Sequence, residues 1–221
     1  DLESGKPEKK IRNMEFGGRV TVNLSGIDFS VSALRTWNKQ PALCPALSGD
    51  GRTLHINGQY RRMTMLGADC SLPVDQFVLR AEVAEYIGEA QGSGLGQNAV
   101  RRNTLNALAG VDWYPGNDWN ISVQYCHKYT SGNLAALSVY RNAGLATARL
   151  SKELLHNTLK LSTFAYIDVA SGGIFNRLSA SYSLNDDIEL TVGYDYFHAN
   201  KGKFAMYGKN SEAWVKMKYS F

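Results

Sequence analysis

The feature that most constrains this chain is an alternation of apolar and polar residues with a period of two, repeated in blocks of roughly 9–13 residues from about Glu15 to Phe221. The clearest block is Ile188 to His198. Ile188, Leu190, Val192, Tyr194 and Tyr196 fall in one phase and Glu189, Thr191, Gly193 and Asp195 in the other. Successive side chains of a strand point to opposite sides, so such a segment has one oily face and one wet face. Trp119 to Cys126, Leu159 to Val169, Arg177 to Leu184 and Phe77 to Val83 follow the same arithmetic.

Eleven strands are predicted, at about 15–23, 28–38, 54–71, 76–88, 103–114, 119–130, 143–153, 158–169, 174–184, 188–199 and 211–221. Around Tyr60 to Met65 the phase slips, as a bulge would cause. Pro7, Pro41, Pro45, Pro73 and Pro115 are all expected outside strand interiors, because proline has no N–H for a central ladder. Short turns at 24–27, 72–75, 115–118, 154–157 and 184–187 alternate with longer links at 39–53, 89–102, 131–142 and 200–210; a brief link at 171–173 is the exception. Strands drawn this way occupy more than half of the chain, against roughly 20–25% in an ordinary soluble domain.

Composition narrows the field. With 44% hydrophobic and 20% charged residues, the chain can fold around a core. A net charge of +4, scattered along the sequence, does not build the basic stripe of a nucleic-acid binder. No run reaches the ~18 apolar residues of a membrane helix, which excludes a helical membrane protein but not a barrel. Cys44, Cys70 and Cys126 lack paired metal or redox spacing; Cys44 is expected in a loop, and a disulfide framework is not expected.

A soluble sandwich also alternates, so three features decide for a membrane barrel. The blocks match the ~9–11 tilted residues that cross a hydrocarbon layer. Aromatics gather at strand ends, with Phe77, Trp113, Trp119, Tyr219 and Phe221 on the short-turn side and Trp37, Tyr86, Tyr129, Tyr196 and Phe197 on the long-loop side, as in two interfacial girdles. Last, SEAWVKMKYSF places Val215, Met217, Tyr219 and Phe221 in one phase and ends on Phe.

With that terminal strand the chain resembles Gram-negative outer-membrane β-barrel proteins. The segments DFSVSALRTWN, QFVLRAEVAEY and GVDWYPGNDWNISVQY are similar to the C-terminal part of an uncharacterised group of large proteobacterial outer-membrane barrels. The resemblance implies an all-β, antiparallel up-and-down transmembrane barrel in the bacterial outer membrane. It also implies that Val215, Met217, Tyr219 and Phe221 are read by the barrel assembly machinery. It transfers no activity. If Phe221 ends in the periplasm, the short turns are periplasmic and residues 1–14 belong to an extracellular loop. Eleven strands is an odd number, and bacterial single-chain barrels have an even one; upstream strands are therefore expected, in a barrel of at least about twelve.

If the oily faces meet lipid, the wet faces enclose water. The expected lumen set is Arg19, Arg80, Lys128, Arg149, Lys160, Arg177, Lys216 and Lys218, against Asp28, Glu82, Asp112, Asp168, Glu189 and Asp195. The slight cationic excess predicts a weak anion preference in a porin-like channel for small hydrophilic solutes. A structural or receptor-type barrel without an open pore is the alternative, with the 39–53 loop as a constriction.

A barrel hydrolase is less favoured. No G-x-S-x-G or H-E-x-x-H occurs, His55 and His156 lie in or near connections, and His127 and His198 share the oily phase. GSGLG at 92–96 opens no helix, Asp186 and Asp187 sit in a tight turn, and Glu82 and Glu85 face opposite ways. No enzyme activity, cofactor, metal or nucleic-acid partner is expected; the expected partners are outer-membrane lipids, the assembly machinery and small solutes.

Overall fold

A computed structural model describes residues 2–135, 137 and 139–221. Residues 1, 136 and 138, which fall in the expected 1–14 and 131–142 connections, lie outside the described residues. The chain is all-β. In order, the strands are β1 (Leu2–Gly5), β2 (Phe16–Leu24), β3 (Ile27–Trp37), β4 (Ala42–Leu47), β5 (Leu54–Gln59), β6 (Arg62–Val74) and β7 (Phe77–Gln91). They continue as β8 (Val100–Trp113), β9 (Trp119–Thr130), β10 (Asn142–Leu154), β11 (Leu159–Asp168), β12 (Gly173–Ser183), β13 (Ile188–His198) and β14 (Glu212–Tyr219). Short 3₁₀ turns stand at Ile11–Asn13 and Ala205–Tyr207.

Eleven strands form one sheet in the order β14-β13-β12-β11-β10-β9-β8-β7-β6-β3-β2, and every strand pair with a resolved register in it is antiparallel. This is the up-and-down meander expected from the period of two. A second, three-stranded sheet has the order β1-β5-β4, with β1 parallel to β5. By contacts the chain divides into two compact units. One comprises residues up to Cys70, Glu82–Ala107 and Lys128–Asn142; the other comprises Ser71–Ala81, Leu108–His127 and Ala143–Phe221.

Three expectations need correction. The 54–71 segment is not one bulged strand: β5 belongs to the small sheet and β6 to the large one, and the phase slip at Tyr60 marks the passage between them. The 39–53 connection contains β4, so Cys44 lies in a strand, and part of the 1–14 segment is β1. Pro45 and Pro73 lie within strands. Pro45 is tolerated because β4 is an edge of the small sheet, and Pro73 because it is the penultimate residue of β6.

The two faces are partitioned in reverse of a water-soluble fold. Among the described residues, only Ala42, Cys44, Met63 and Ala90 are buried apolar side chains, whereas twelve polar or charged residues are buried. The largest fully buried side chains are Thr36, Thr104, Thr130 and Ser30. Phe16, Val20, Val22 and Leu24 of β2, and Val192, Tyr194 and Tyr196 of β13, are exposed. Soluble domains bury Ile, Val, Leu and Phe first. Here the alternation is kept and its sense inverted.

Candidate functional site: the polar face of the sheet

On β10 to β14 the register aligns the wet phase in rows. Arg149, Phe164, Arg177, Asp195 and Glu212 are successive Cα partners across the five strands. The next row is Ser151, Ser162, Ser179, Gly193 and Trp214, and the one after it Glu153, Lys160, Ser181, Thr191 and Lys216. Small hydroxyls bond across the rows: Ser162 to Ser179 at 2.8 Å, and Ser181 to Thr191 at 2.9 Å.

Charge is neutralised by pairing. Arg177 holds Asp195 with Nε and Nη2 at 2.8 and 2.5 Å, and the Trp214 indole N–H donates to the same carboxylate at 3.0 Å. The guanidinium also lies 5.4 Å from the Trp214 ring centroid. Trp214 covers Gly193 so closely that any Cβ there would collide with the ring, which is why the smallest residue faces the largest. Lys160 pairs with Glu153 at 2.7 Å and Arg80 with Asp112 at 2.9 Å. Arg19 donates to both Asp69 oxygens at 2.9 and 3.0 Å, and the Ser30 hydroxyl donates to the same group. Lys128 reaches Glu89 at 3.3 Å, which Thr104 also serves at 2.6 Å.

Other expected lumen residues are unpaired or differently held. Among the described residues, Arg149, Lys216, Lys218, Glu82, Glu189 and Asp28 make no ion pair. Glu189 is the direct register partner of Lys218. Asp168 is buried and accepts backbone N–H groups of Ala170, Ser171 and Lys203, at 3.1, 3.3 and 3.3 Å. It closes the β11–β12 turn rather than presenting charge. Val215, Met217 and Tyr219 are exposed along the oily phase of β14, and Phe221 follows the strand end.

Asp69, Glu89, Glu153 and Glu212 are the acidic members that the expected set omits. With them, β10 to β14 present Arg149, Lys160, Arg177, Lys216 and Lys218 against Glu153, Asp168, Glu189, Asp195 and Glu212, so the cationic excess disappears. Glu89 enters the wet face through Gly88, whose φ of 75° places it in the left-handed region. Ile87 is exposed, and two residues later Glu89 is turned inward, so β7 exchanges its faces at this glycine. The glycine inside a strand pattern was the available signal.

Two of the girdle aromatics also lie elsewhere. Phe197 is in the wet phase of β13, 4.6 Å from Phe175 and 5.9 Å from Tyr207 by ring centroids, where it packs under the 199–211 connection. Tyr86 shares the phase of Arg80 and Glu82. Trp37 stands where the sequence placed it. It ends β3 in the oily phase, with Arg62 5.0 Å over its ring.

Glu15, just outside β2, ties this strand end together. Its carboxylate accepts from Lys39 Nζ at 2.7 Å, the Thr36 hydroxyl at 2.7 Å and the Trp37 backbone N–H at 3.1 Å. These donors, Lys39 foremost, lower its pKa from 4.5 to about 2. A depressed carboxylate stabilises fully above its unfolded pKa and loses that contribution as pH falls through the folded one. The stability difference between the parent protein and Glu15→Gln, read by urea unfolding followed by tryptophan fluorescence, is therefore expected to hold at neutral pH and vanish as pH falls from 4.5 to about 2. A difference that vanishes near neutral pH would contradict the assignment.

All three cysteines are free, and among the described residues no group of His, Cys, Asp and Glu is arranged to hold a metal. No protein-family model matches the sequence, and no curated protein does. Among solved structures, the chain is similar to outer membrane phospholipase A from Escherichia coli, at 12% identity and a TM-score of 0.37, covering 93% of this chain and 77% of that one. An active-site mutant of the same enzyme gives 10% identity and a TM-score of 0.36 over the same shares. Neither likeness transfers an activity or a residue.

Proposed function

We propose that the eleven-stranded sheet is the wall of a bacterial outer-membrane β-barrel, and that its polar face lines a porin-like channel for small hydrophilic solutes. One observation carries the reading: exposed Val, Leu, Phe and Tyr side chains in one phase of the strands, and buried Ser, Thr and Asp in the other. Water on both sides of the sheet would leave the apolar phase unpaid for; acyl chains on one side satisfy it. The exposed Val215, Met217 and Tyr219, with Phe221, are the segment offered to the assembly machinery. Transport, rather than catalysis, is the assigned activity.

Across β10 to β14 the wall is charge-balanced, with Lys160–Glu153 and Arg177–Asp195 paired within it, so the anion preference expected from the sequence has little to sustain it. In planar bilayers, the intact protein is expected to give steady open channels with a reversal potential close to that of an unselective pore. Reversing Lys216 and Lys218 together to Glu is expected to move it measurably toward cations, since both lack ion pairs. Strong selectivity in the parent protein, or no response to the double reversal, would count against the wall as drawn.

A second reading has its own support. The β4–β5 hairpin and the residue that follows β3 are fastened to the end of β7 and the loop after it: Gly96 N–H donates to the Pro45 carbonyl at 2.8 Å, Gln59 bonds Asn98 at 2.9 Å, and Asn38 brackets Ala90 with two bonds at 3.2 and 3.3 Å. A mouth capped in this way would make a closed receptor or structural barrel. Electrical silence at all applied voltages, with the barrel correctly inserted, would establish that reading over the channel.

A further inference from the structure

We infer that the long-loop end of β2, β3 and β6 carries a binding site on its outward face for the phosphate headgroups of a phosphorylated membrane lipid, whose acyl chains lie along the oily stripe of β2. The inference rests on the membrane-barrel reading above.

Register fixes the direction of the basic side chains. Phe16 pairs with Arg35 and Val20 with Val31, so Arg35 and Trp37 share the oily phase of β3 with Phe29 and Val31. Gly67 and Asp69 face Ser32 and Ser30, in the wet phase of β3, so Arg62, Thr64 and Leu66 of β6 take the oily phase. Arg35 and Arg62 therefore stand on the face turned away from the proposed lumen. A cation in that position has no role in selecting solutes.

The segment before β2 adds Lys6, Lys9, Lys10 and Arg12. Lys6, Lys9 and Lys10, with Glu8, Glu15, Trp37, Lys39 and Tyr60, border a cleft of about 630 Å³. Internal carboxylates satisfy part of this charge. Glu8 takes Lys10 at 2.6 Å and Arg12 at 3.4 Å, and Glu15 takes Lys39 at 2.7 Å. Arg62 bonds the backbone carbonyls of Arg12 and Met14 at 2.5 and 3.2 Å. Lys6 and Lys9 make no ion pair among the described residues and are exposed.

Next to this cationic band the surface turns apolar. Ile11 and Met14 are exposed, and Phe16, Val20, Val22 and Leu24 continue the stripe along the outward phase of β2. Cations at the strand end, an interfacial tryptophan, and then an apolar stripe reproduce the order of groups in an anionic lipid from headgroup to tail. Charge complementarity selects phosphate over a zwitterionic headgroup. Continuity with the stripe selects a lipid over a free anion.

The test uses the full chain in phosphatidylcholine vesicles doped with diphosphoryl lipid A, with binding read as quenching of tryptophan fluorescence by brominated acyl chains on the doped lipid. Lys6→Glu, Lys9→Glu and Lys10→Glu together are expected to weaken binding by about tenfold or more, because each cation near a charged surface contributes appreciably. The matched change of Lys201, Lys203 and Lys209 to Glu, in the connection after β13, is expected to leave it within about twofold. Dephosphorylating the doped lipid should abolish the preference for it over phosphatidylcholine.

Equal losses from both triple variants would reduce the effect to general electrostatics and overturn the site. Competition by inorganic phosphate at comparable concentration would also overturn it, in favour of a free-anion site. Insertion into vesicles is recorded separately by heat-modifiable migration in gels: a parent protein that never inserts refutes the barrel, whereas normal insertion without the triple-lysine effect refutes only the lipid site.

Discussion

Arginine in place of Val192 is expected to cost about 2–4 kcal/mol of folding free energy in a lipid bilayer, the range for a cation placed on the lipid face of a barrel near mid-membrane. Val192 lies in the middle of β13, opposite Ala180 and Val215, and is 46% exposed. In water, a half-exposed valine replaced by arginine changes stability by no more than about 0.5 kcal/mol. The magnitude therefore reports the solvent that Val192 meets. Ser183→Arg, in the wet phase of β12, is the companion, expected to cost under about 1 kcal/mol. Urea titration of refolding into vesicles measures both. Equal costs, or no cost at Val192, would remove the lipid from the oily face and with it the channel.

The Arg177–Asp195 pair supplies the second large effect. Asp195 is 3% exposed and serves two donors, Arg177 and Trp214. Asp195→Ala leaves the guanidinium and the indole N–H without their acceptor. Breaking a fully buried pair costs roughly 3–5 kcal/mol. The Arg177 side chain keeps 51% of its exposure, so screening brings the expected cost down to about 2 kcal/mol. Arg177→Met with Asp195→Ala is expected to be less damaging than the sum of the two single changes by about 1 kcal/mol, because the double change strands no charge. Additive costs in the same titration would mean that the pair contributes nothing of its own.

Most strands of the large sheet were legible because one physical rule, a wet phase and an oily phase, repeats along them. Ile188 to His198 needs no tertiary information to be read as a strand, and the structure bounds β13 at those residues. What escaped were elements that obey a different rule. β4 is short, lies in the 39–53 link and is interrupted by Pro45, and β5 reads as one strand with β6, so the small sheet they form carries no signal of its own.

Three acidic residues of the polar face escaped, each for a separate reason. Asp69 lies beyond the phase break at Tyr60, so its side of β6 was undetermined until the pairing with Arg19 was known. Glu89 lies beyond the reversal at Gly88. Glu153 shares the phase of Arg149 and was readable from the same alternation, but only if β10 is carried to its end. The role of Trp214 depends on the register that sets it against Gly193, a relation between strands rather than within one.

The left-handed residue at Gly88 gives β7 two polarity frames joined end to end. A strand that keeps one face oily and the other wet along its length has no slack for a lost or gained residue on either side of such a joint. Shortening β7 by one residue near it would turn Glu89 and Gln91 to the oily face and strand Thr104 and Lys128 without an acceptor. Length variation in the family of such sequences should accordingly gather in the connections, and this stretch of strand should change by substitution alone.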